Sequence, residues 1–261
     1  MSAFPTSAEC LLISDIHGTF NTLTRLLNAA PKGVQLVFLG DEIDRGPNSR
    51  GVVEMAMNYA IPTVMGNHTS LCLAFYHRNA RCAEMYESGI WLDNGGTAAL
   101  RNWPTIDHRC STPAEQQRAN RDKYLGGRVP NHVLDWMERL PAYLYPSTRT
   151  DENGRKLLAS HSGFGLSADE GDWFKALWCR QPYGEGEFPD DGNFRAFGHS
   201  PCKIAEVTEK WCNIDTGAAY GKRGYGNLSA MVWPSKQILS QPYDESPVKP
   251  TFTIEMGGLL T

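Results

Sequence analysis

Three apolar runs near the start of the chain each end on polar residues. Cys10 to Ser14 (CLLIS) stops at Asp15, Val34 to Leu39 (VQLVFL) at Gly40-Asp41, and Ile61 to Met65 at Gly66-Asn67-His68. Short unbroken apolar runs bounded by turn residues predict strands buried on both faces. Two stretches of helical period lie between them. Asn21 to Ala30 carries Leu23, Leu26 and Leu27 and is closed by Pro31; Ser49 to Ala60 carries Val52, Val53, Met55 and Met57. The order is βαβαβ. In open α/β sheets the site lies beyond the carboxyl ends of the strands, so those polar residues are where chemistry is expected.

The second half repeats the theme. Lys156 to Ser160 predicts a strand leading to His161, and Phe194 to Phe197 one leading to Gly198-His199. Trp211 to Asp215 and Leu228 to Trp233 predict late strands, with the glycine-rich Gly217 to Gly226 between them as a hairpin turn and Asp215 closing the first. Asn131 to Leu140 is amphipathic through Val133, Trp136, Met137 and Leu140. Arg101 to Arg128 is polar and irregular, a cap or surface insertion in which Ala114 to Tyr124 predicts an exposed helix. Gln241 to Pro250 suits a linker or surface wrap. We read one domain over 1–261, with a variable insert around 101–140, and a monomer.

Composition narrows the function classes. A chain of 261 residues, 41% hydrophobic and 21% charged, is long enough for a continuous core. A net charge of -4 gives no nucleic-acid footprint. Seven cysteines are scattered without a C-x-x-C pair, which excludes a disulfide framework or zinc ribbon and fits a reducing compartment. Met1 to Cys10 has neither the basic nor the apolar stretch of a signal peptide, and no apolar run approaches the roughly 20 residues of a membrane span. A cytoplasmic protein with no membrane partner is expected. The layouts of a serine-hydrolase elbow and a nucleotide P-loop are absent.

Five motifs share one placement, each at the end of an apolar run: Asp15-Ile16-His17-Gly18, Gly40 to Pro47 (GDEIDRGP), Gly66-Asn67-His68, Ser160-His161-Ser162-Gly163 and Phe197-Gly198-His199-Ser200. Singly, each has a plain explanation as a helix N-cap or a hydrogen-bonded core histidine. Together they would bury many ionisable groups at one place, which is costly without a metal. Carboxylate, imidazole and amide donors suit Mn, Fe or Zn better than the all-oxygen shells of Ca or Mg.

The set resembles the calcineurin-like metallophosphoesterases, and within them the phosphoprotein phosphatase branch. The likeness is greatest to small prokaryotic and phage protein Ser/Thr phosphatases and to symmetrical diadenosine tetraphosphatases. GDEIDRGP is its most specific piece, with Trp91 to Gly96 (WLDNGG) in support; it extends from Leu11 to about Trp233.

The resemblance implies a four-layer α/β/β/α sandwich, two mixed sheets flanked by helices. It implies two divalent metal ions, Mn first, with Asp15 and His17 on one ion, Asp41 bridging, and Asn67, His161 and His199 completing the second. His68 would protonate the leaving group, oriented by Asp44, which would also raise its pKa. Arg45 would hold phosphate oxygens, with Arg180 as a second phosphate-binding candidate. A dinuclear-metal-activated water would attack phosphorus in line.

The implied function is a protein serine/threonine phosphatase. The alternative is a bis(5'-nucleosyl)-tetraphosphatase, and the remote one a non-catalytic binding module, which the full ligand set disfavours. The substrate would be a phosphoprotein or a phosphorylated small molecule. The family usually has an acidic residue after Gly-Asn-His, where this chain has Thr69, a change that would alter loop bracing. Trp91 and Trp178 are candidates for lining the pocket. His77, His108 and His132 lie outside the motifs and are expected at the surface or in the core.

Overall fold

The structure is a computed structural model that describes residues 6–79, 89–104, 112–163, 173–180, 182–183 and 186–261. His108 lies outside them.

Strand β1 (Glu9–Ile13) pairs in parallel with β2 (Val34–Phe38), Leu12 opposite Val37. Because side chains alternate along a strand, Leu11, Ile13, Leu36 and Phe38 face one core while Cys10, Leu12 and Val37 face another. The first core is completed by α1 (Phe20–Ala29) and α2 (Ser49–Asn58). The second lies between two sheets. Burial on both faces explains why these strands read as unbroken apolar runs.

The sheets are mixed and five-stranded, and helices flank them. In the first, β10 (Leu259–Leu260), β2, β1, β8 (Asn227–Trp233) and β9 (Gln237–Pro242) lie in that order. In the second the order is β3 (Tyr143–Leu144), β4 (Lys156–Ser160), β5 (Asn193–Phe197), β7 (Trp211–Asn213) and β6 (Glu206–Val207). Strands β4, β5 and β7 are parallel. Leu157, Ala159, Phe194, Ala196 and Cys212 from the second sheet meet Leu12, Val37, Met231 and Trp233 from the first.

Two predicted elements differ from the structure. Ile61 to Met65 forms no strand: Thr63 makes a single parallel bridge to Phe38. Pro62 has no N–H to extend a ladder, and the chain turns at Gly66 straight into α3 (Asn67–Phe75). Gly217 to Gly226 is not a hairpin turn, because β7 and β8 belong to different sheets. The stretch is a crossover. The late apolar strands face each other across the inter-sheet core rather than pairing. The hairpin partner of β8 is β9, a half-exposed edge strand whose residues, QILSQP, carry little strand signal.

The segment around 101–140 divides. Helix α4 (Pro113–Tyr124) is polar and opens with a capping box between Thr112 and Glu115. Helix α5 (Asn131–Met137) instead puts Val133, Leu134 and Met137 into a cluster with Leu71, Trp91 and Leu100. Among the described residues no helix is long and apolar enough to cross a membrane.

The polar tail after β9 does wrap the surface. Thr19, the N-cap of α1, makes no side-chain capping bond. Glu245 supplies one from afar: its carboxylate accepts from Asn21 N at 3.1 Å, Thr22 N at 2.9 Å and Thr22 Oγ1 at 2.7 Å. A carboxylate on orphan N–H groups at a helix start is worth about 1–2 kcal/mol. Glu245→Ala is therefore expected to lower the melting temperature by a few degrees, about 2–4 °C per kcal/mol for a chain of this size. A thermal melt of the two proteins checks this; equal melting temperatures would mean the strap does not cap α1.

Candidate active site

The loops after β1, β2, β4 and β5 and the start of α3 meet at the carboxyl ends of the parallel strands. They bring Asp15, His17, Asp41, Asn67, His161 and His199 into one buried cluster. Asp41 is common to two groups of candidate metal donors, His17-Asp41-His68 and Asp15-Asp41-His161, each with its donor atoms within 4.8 Å of one another. Asp41 Oδ2 lies 3.7 Å from His17 Nε2 and 3.6 Å from His161 Nε2. Asn67 Oδ1 is 2.9 Å from His161 Nε2 and 3.2 Å from His199 Nδ1. Asp15 Oδ2 accepts from Ser14 Oγ at 2.5 Å and from His199 N at 3.0 Å.

Two imidazoles are oriented by main-chain carbonyls. His17 Nδ1 donates to Ile43 O at 2.8 Å, and His161 Nδ1 to Leu39 O at 2.9 Å. A carbonyl can only accept, so the proton is fixed on Nδ1 and the lone pair of Nε2 faces the cluster, an arrangement suited to holding a cation. Burial pushes His17 and His199 well below the ordinary imidazole pKa, so both are neutral donors. The donor set therefore fits divalent ions.

The backbone carries a second signature. Of nine described non-glycine residues with positive φ, six are Asp15, His17, Asp41, Asp44, Arg45 and His199. The left-handed region costs an L-residue about 1–2 kcal/mol, and such strain gathers at functional sites. Two glycines allow the close packing. A Cβ on Gly66 would collide with the Asp41 carboxylate, and one on Gly198 with Ser14 Oγ and Asp15 Oδ2.

Beside the cluster, His68 Nδ1 sits 2.6 Å from Asp44 Oδ2. Arg45 spans two rings, its Nη1 2.5 Å from His17 Nε2 and its Nη2 2.9 Å from His68 Nε2. The expected rise in the His68 pKa is not what the site produces. Burial pushes it down to about 4, with the Arg45 charge adding to the fall and Asp41 opposing it. Burial likewise raises Asp44 well above the carboxylate range. The resting imidazole is thus neutral, donating through Nδ1 to Asp44 and accepting Arg45 at Nε2.

Trp91 does not line the pocket. It is 1% exposed, and its Nε1–H reaches both Asp44 oxygens, at 3.1 and 2.9 Å. The π-helical turn Leu92–Gly96 follows it, so the WLDNGG stretch clamps the Asp44–His68 pair. Trp91→Phe removes the donor and keeps the bulk. We expect kcat to fall about tenfold with KM little changed; steady-state kinetics at matched metal content would show an unaltered kcat if the clamp is idle.

Arg180 stands at the rim, exposed, with Nη1 3.4 Å from His199 O and 3.2 Å from Ser200 Oγ. It opens onto a cavity of about 630 Å³ shared with Tyr183, Cys202 and Ile204. Trp178 meets the His199 ring edge-on at 5.7 Å. Asp215 Oδ1 accepts from Gly217 N at 2.9 Å, as a turn closing a strand would. Burial, with Asp15 and Asp41 near, raises its pKa well above the usual carboxylate value. His77 and His132 are exposed, away from the cluster. Thr69 is fully buried and its hydroxyl has no hydrogen-bond partner among the described residues. Glu42 carries no motif signal of its own in the sequence: its buried carboxyl has no hydrogen-bond partner among the described residues, and burial pushes its pKa up to about 8.

Residues 9–207 match the family model for the calcineurin-like phosphoesterases. A bis(5'-nucleosyl)-tetraphosphatase PrpE of the asymmetrical kind from Bacillus cereus is 26% identical over 252 residues, covering 88% of this chain and 93% of that protein. A protein of the same name from Bacillus anthracis is 26% identical over 251 residues, with the same coverage. A solved candidate diadenosine tetraphosphatase superposes with a TM-score of 0.60 at 18% identity, over 93% of this chain and 97% of its own. A cold-active protein tyrosine phosphatase from a psychrophilic Shewanella gives 0.54 at 15% identity, over 96% and 82%. The solved structures bear on the fold, two mixed sheets flanked by helices.

Proposed function

The chain belongs to the calcineurin-like phosphoesterases, metal-dependent hydrolases of phosphate esters, and on that premise we propose that its substrate is a dinucleoside polyphosphate. The observation that carries this reading is the likeness to Bacillus tetraphosphatases along 93% of their length. It reverses the order implied by the family resemblance, which put a phosphoprotein first. The chemistry would be that of one domain over 1–261.

We assign Asp15, His17, Asp41, Asn67, His161 and His199 to two divalent ions, with Mn the first to supply. Such ions, when bound, make water nucleophilic near neutral pH and offset phosphate charge. Among the described residues Asp41 is the one carboxylate within reach of both His17 and His161, so it would be the group shared by the two ions. The remaining work falls to the chain's own groups. Arg45, with a planar fork of donors, meets two oxygens of a phosphate; Arg180, exposed beside His199, meets another. As Arg45 turns to the phosphate, His68 loses a neighbouring positive charge and gains an anion. Both changes favour the imidazolium, whose Nε2–H then protonates the departing oxygen while Asp44 holds Nδ1.

A panel of diadenosine tetraphosphate, phosphoserine and phosphothreonine peptides and p-nitrophenyl phosphate, each assayed with Mn, Fe or Zn, tests the reading. The dinucleotide is expected to have the highest kcat/KM. Turnover of phosphopeptides alone would restore the phosphoprotein reading, and no metal-dependent turnover would leave a binding module.

A further inference from the structure

The crossover from β7 to β8 and the start of the tail enclose a cavity of about 610 Å³ on the Arg45 side of the cluster. A cavity of that volume suits a small organic ligand. Its lining includes Arg45, Tyr220, Lys222, Arg223, Tyr225 and Tyr243. Three cations and three phenol rings in one concavity is a composition for an anionic, aromatic ligand. Neither Lys222 nor Arg223 is paired with a carboxylate among the described residues. Lys222 Nζ lies 5.7 Å and Arg45 Cζ 5.0 Å from the centroid of the Tyr220 ring, so one phenol holds the crossover cation near the arginine of the cluster. Tyr225 stands 6.1 Å from Tyr220, and Tyr243, half exposed, is tied to the crossover by its N–H to Gly226 O at 2.7 Å.

We infer that this cavity is the subsite for the longer arm of the substrate, a nucleoside 5'-triphosphate unit, and that this arm is the one expelled. The inference rests on the dinucleotide reading. Arg45 also touches His68, at 2.9 Å, so an arm lying along Arg45 ends at the proton donor. Cations beyond Arg45 match phosphates beyond the scissile bond, and the tyrosines offer a face to the base. In the step, a water oxygen bonds to the phosphorus of the short arm. The bridging P–O bond breaks, its electron pair stays on the triphosphate oxygen, and that oxygen takes the proton of His68 Nε2. A proton from the water returns to His68. One nucleoside monophosphate and one nucleoside triphosphate result.

Two measurements test this. Hydrolysis of diadenosine tetraphosphate in ¹⁸O-water is expected to place the label in AMP and none in ATP; label in ATP, or ADP as the only product, would overturn the arm assignment. ATP is also expected to inhibit p-nitrophenyl phosphate hydrolysis competitively. Lys222→Ala, Arg223→Ala and Tyr243→Ala should each raise its inhibition constant about tenfold, the size of one charged or stacking contact, while inhibition by inorganic phosphate stays as in the parent. Equal ATP inhibition across all four proteins would show that the cavity is not the subsite. Shifted ATP inhibition without any dinucleotide turnover would keep the subsite and overturn the substrate reading.

Discussion

Asparagine in place of His68 is expected to leave bound metal unchanged and to lower kcat by about 10²-fold on a dinucleoside tetraphosphate, and by about 10⁴-fold on an alkyl phosphate ester. The difference follows from the leaving group. A nucleoside polyphosphate departs as a stabilised anion and needs little help from an acid, whereas an alkoxide needs a proton as it leaves. Asparagine can still donate toward Asp44 but has no transferable proton. The measurement pairs metal analysis with kcat on both substrates. His68 also stands 3.9 Å from Asp41 Oδ2, close enough to be considered a ligand. Loss of an ion from the variant would make it one and remove its role as acid; equal losses on the two substrates would mean that proton delivery does not limit either.

Asp41→Asn is expected to empty both metal positions together and to abolish turnover to below about one part in 10³, since the dinuclear activation of water is lost with the ions. Asp41 is the only carboxylate present in both donor groups. It also accepts the His68 backbone N–H at 3.0 Å, so its position is fixed from α3. The amide keeps the shape and removes the negative charge that two cations sharing this group would need. Metal content per chain, measured after gel filtration, decides the matter. Two ions retained at full occupancy would exclude Asp41 as the bridge.

The chemistry-bearing residues were legible because each closes a short apolar run. Asp15, Asp41, His161 and His199 announce themselves by position as much as by type. What surrounds them was not legible. Trp91 reaches Asp44 across 47 residues, and Glu245 caps a helix that starts 225 residues earlier; such pairings arise only once the chain has folded. The segment before Gly66 has strand composition, yet Pro62 denies it a ladder, a case of backbone chemistry prevailing over apolar pattern. The crossover at Gly217 to Gly226 has the sequence pattern of a hairpin, because a glycine-rich stretch between two apolar strands looks the same whether they pair side by side or stack face to face. The placing of its tyrosines and cations follows from the separation of the sheets, which local pattern does not encode.

The six left-handed residues in and beside the cluster have a further implication for anyone wishing to move this centre elsewhere. No loop here would keep its bend on its own, because each would relax toward the right-handed basin once its neighbours were gone. Transplanting GDEIDRGP or DIHG into a foreign scaffold would carry over the side chains and forfeit their aim. The portable unit is the whole ring of interlocked turns, including the glycines beneath them.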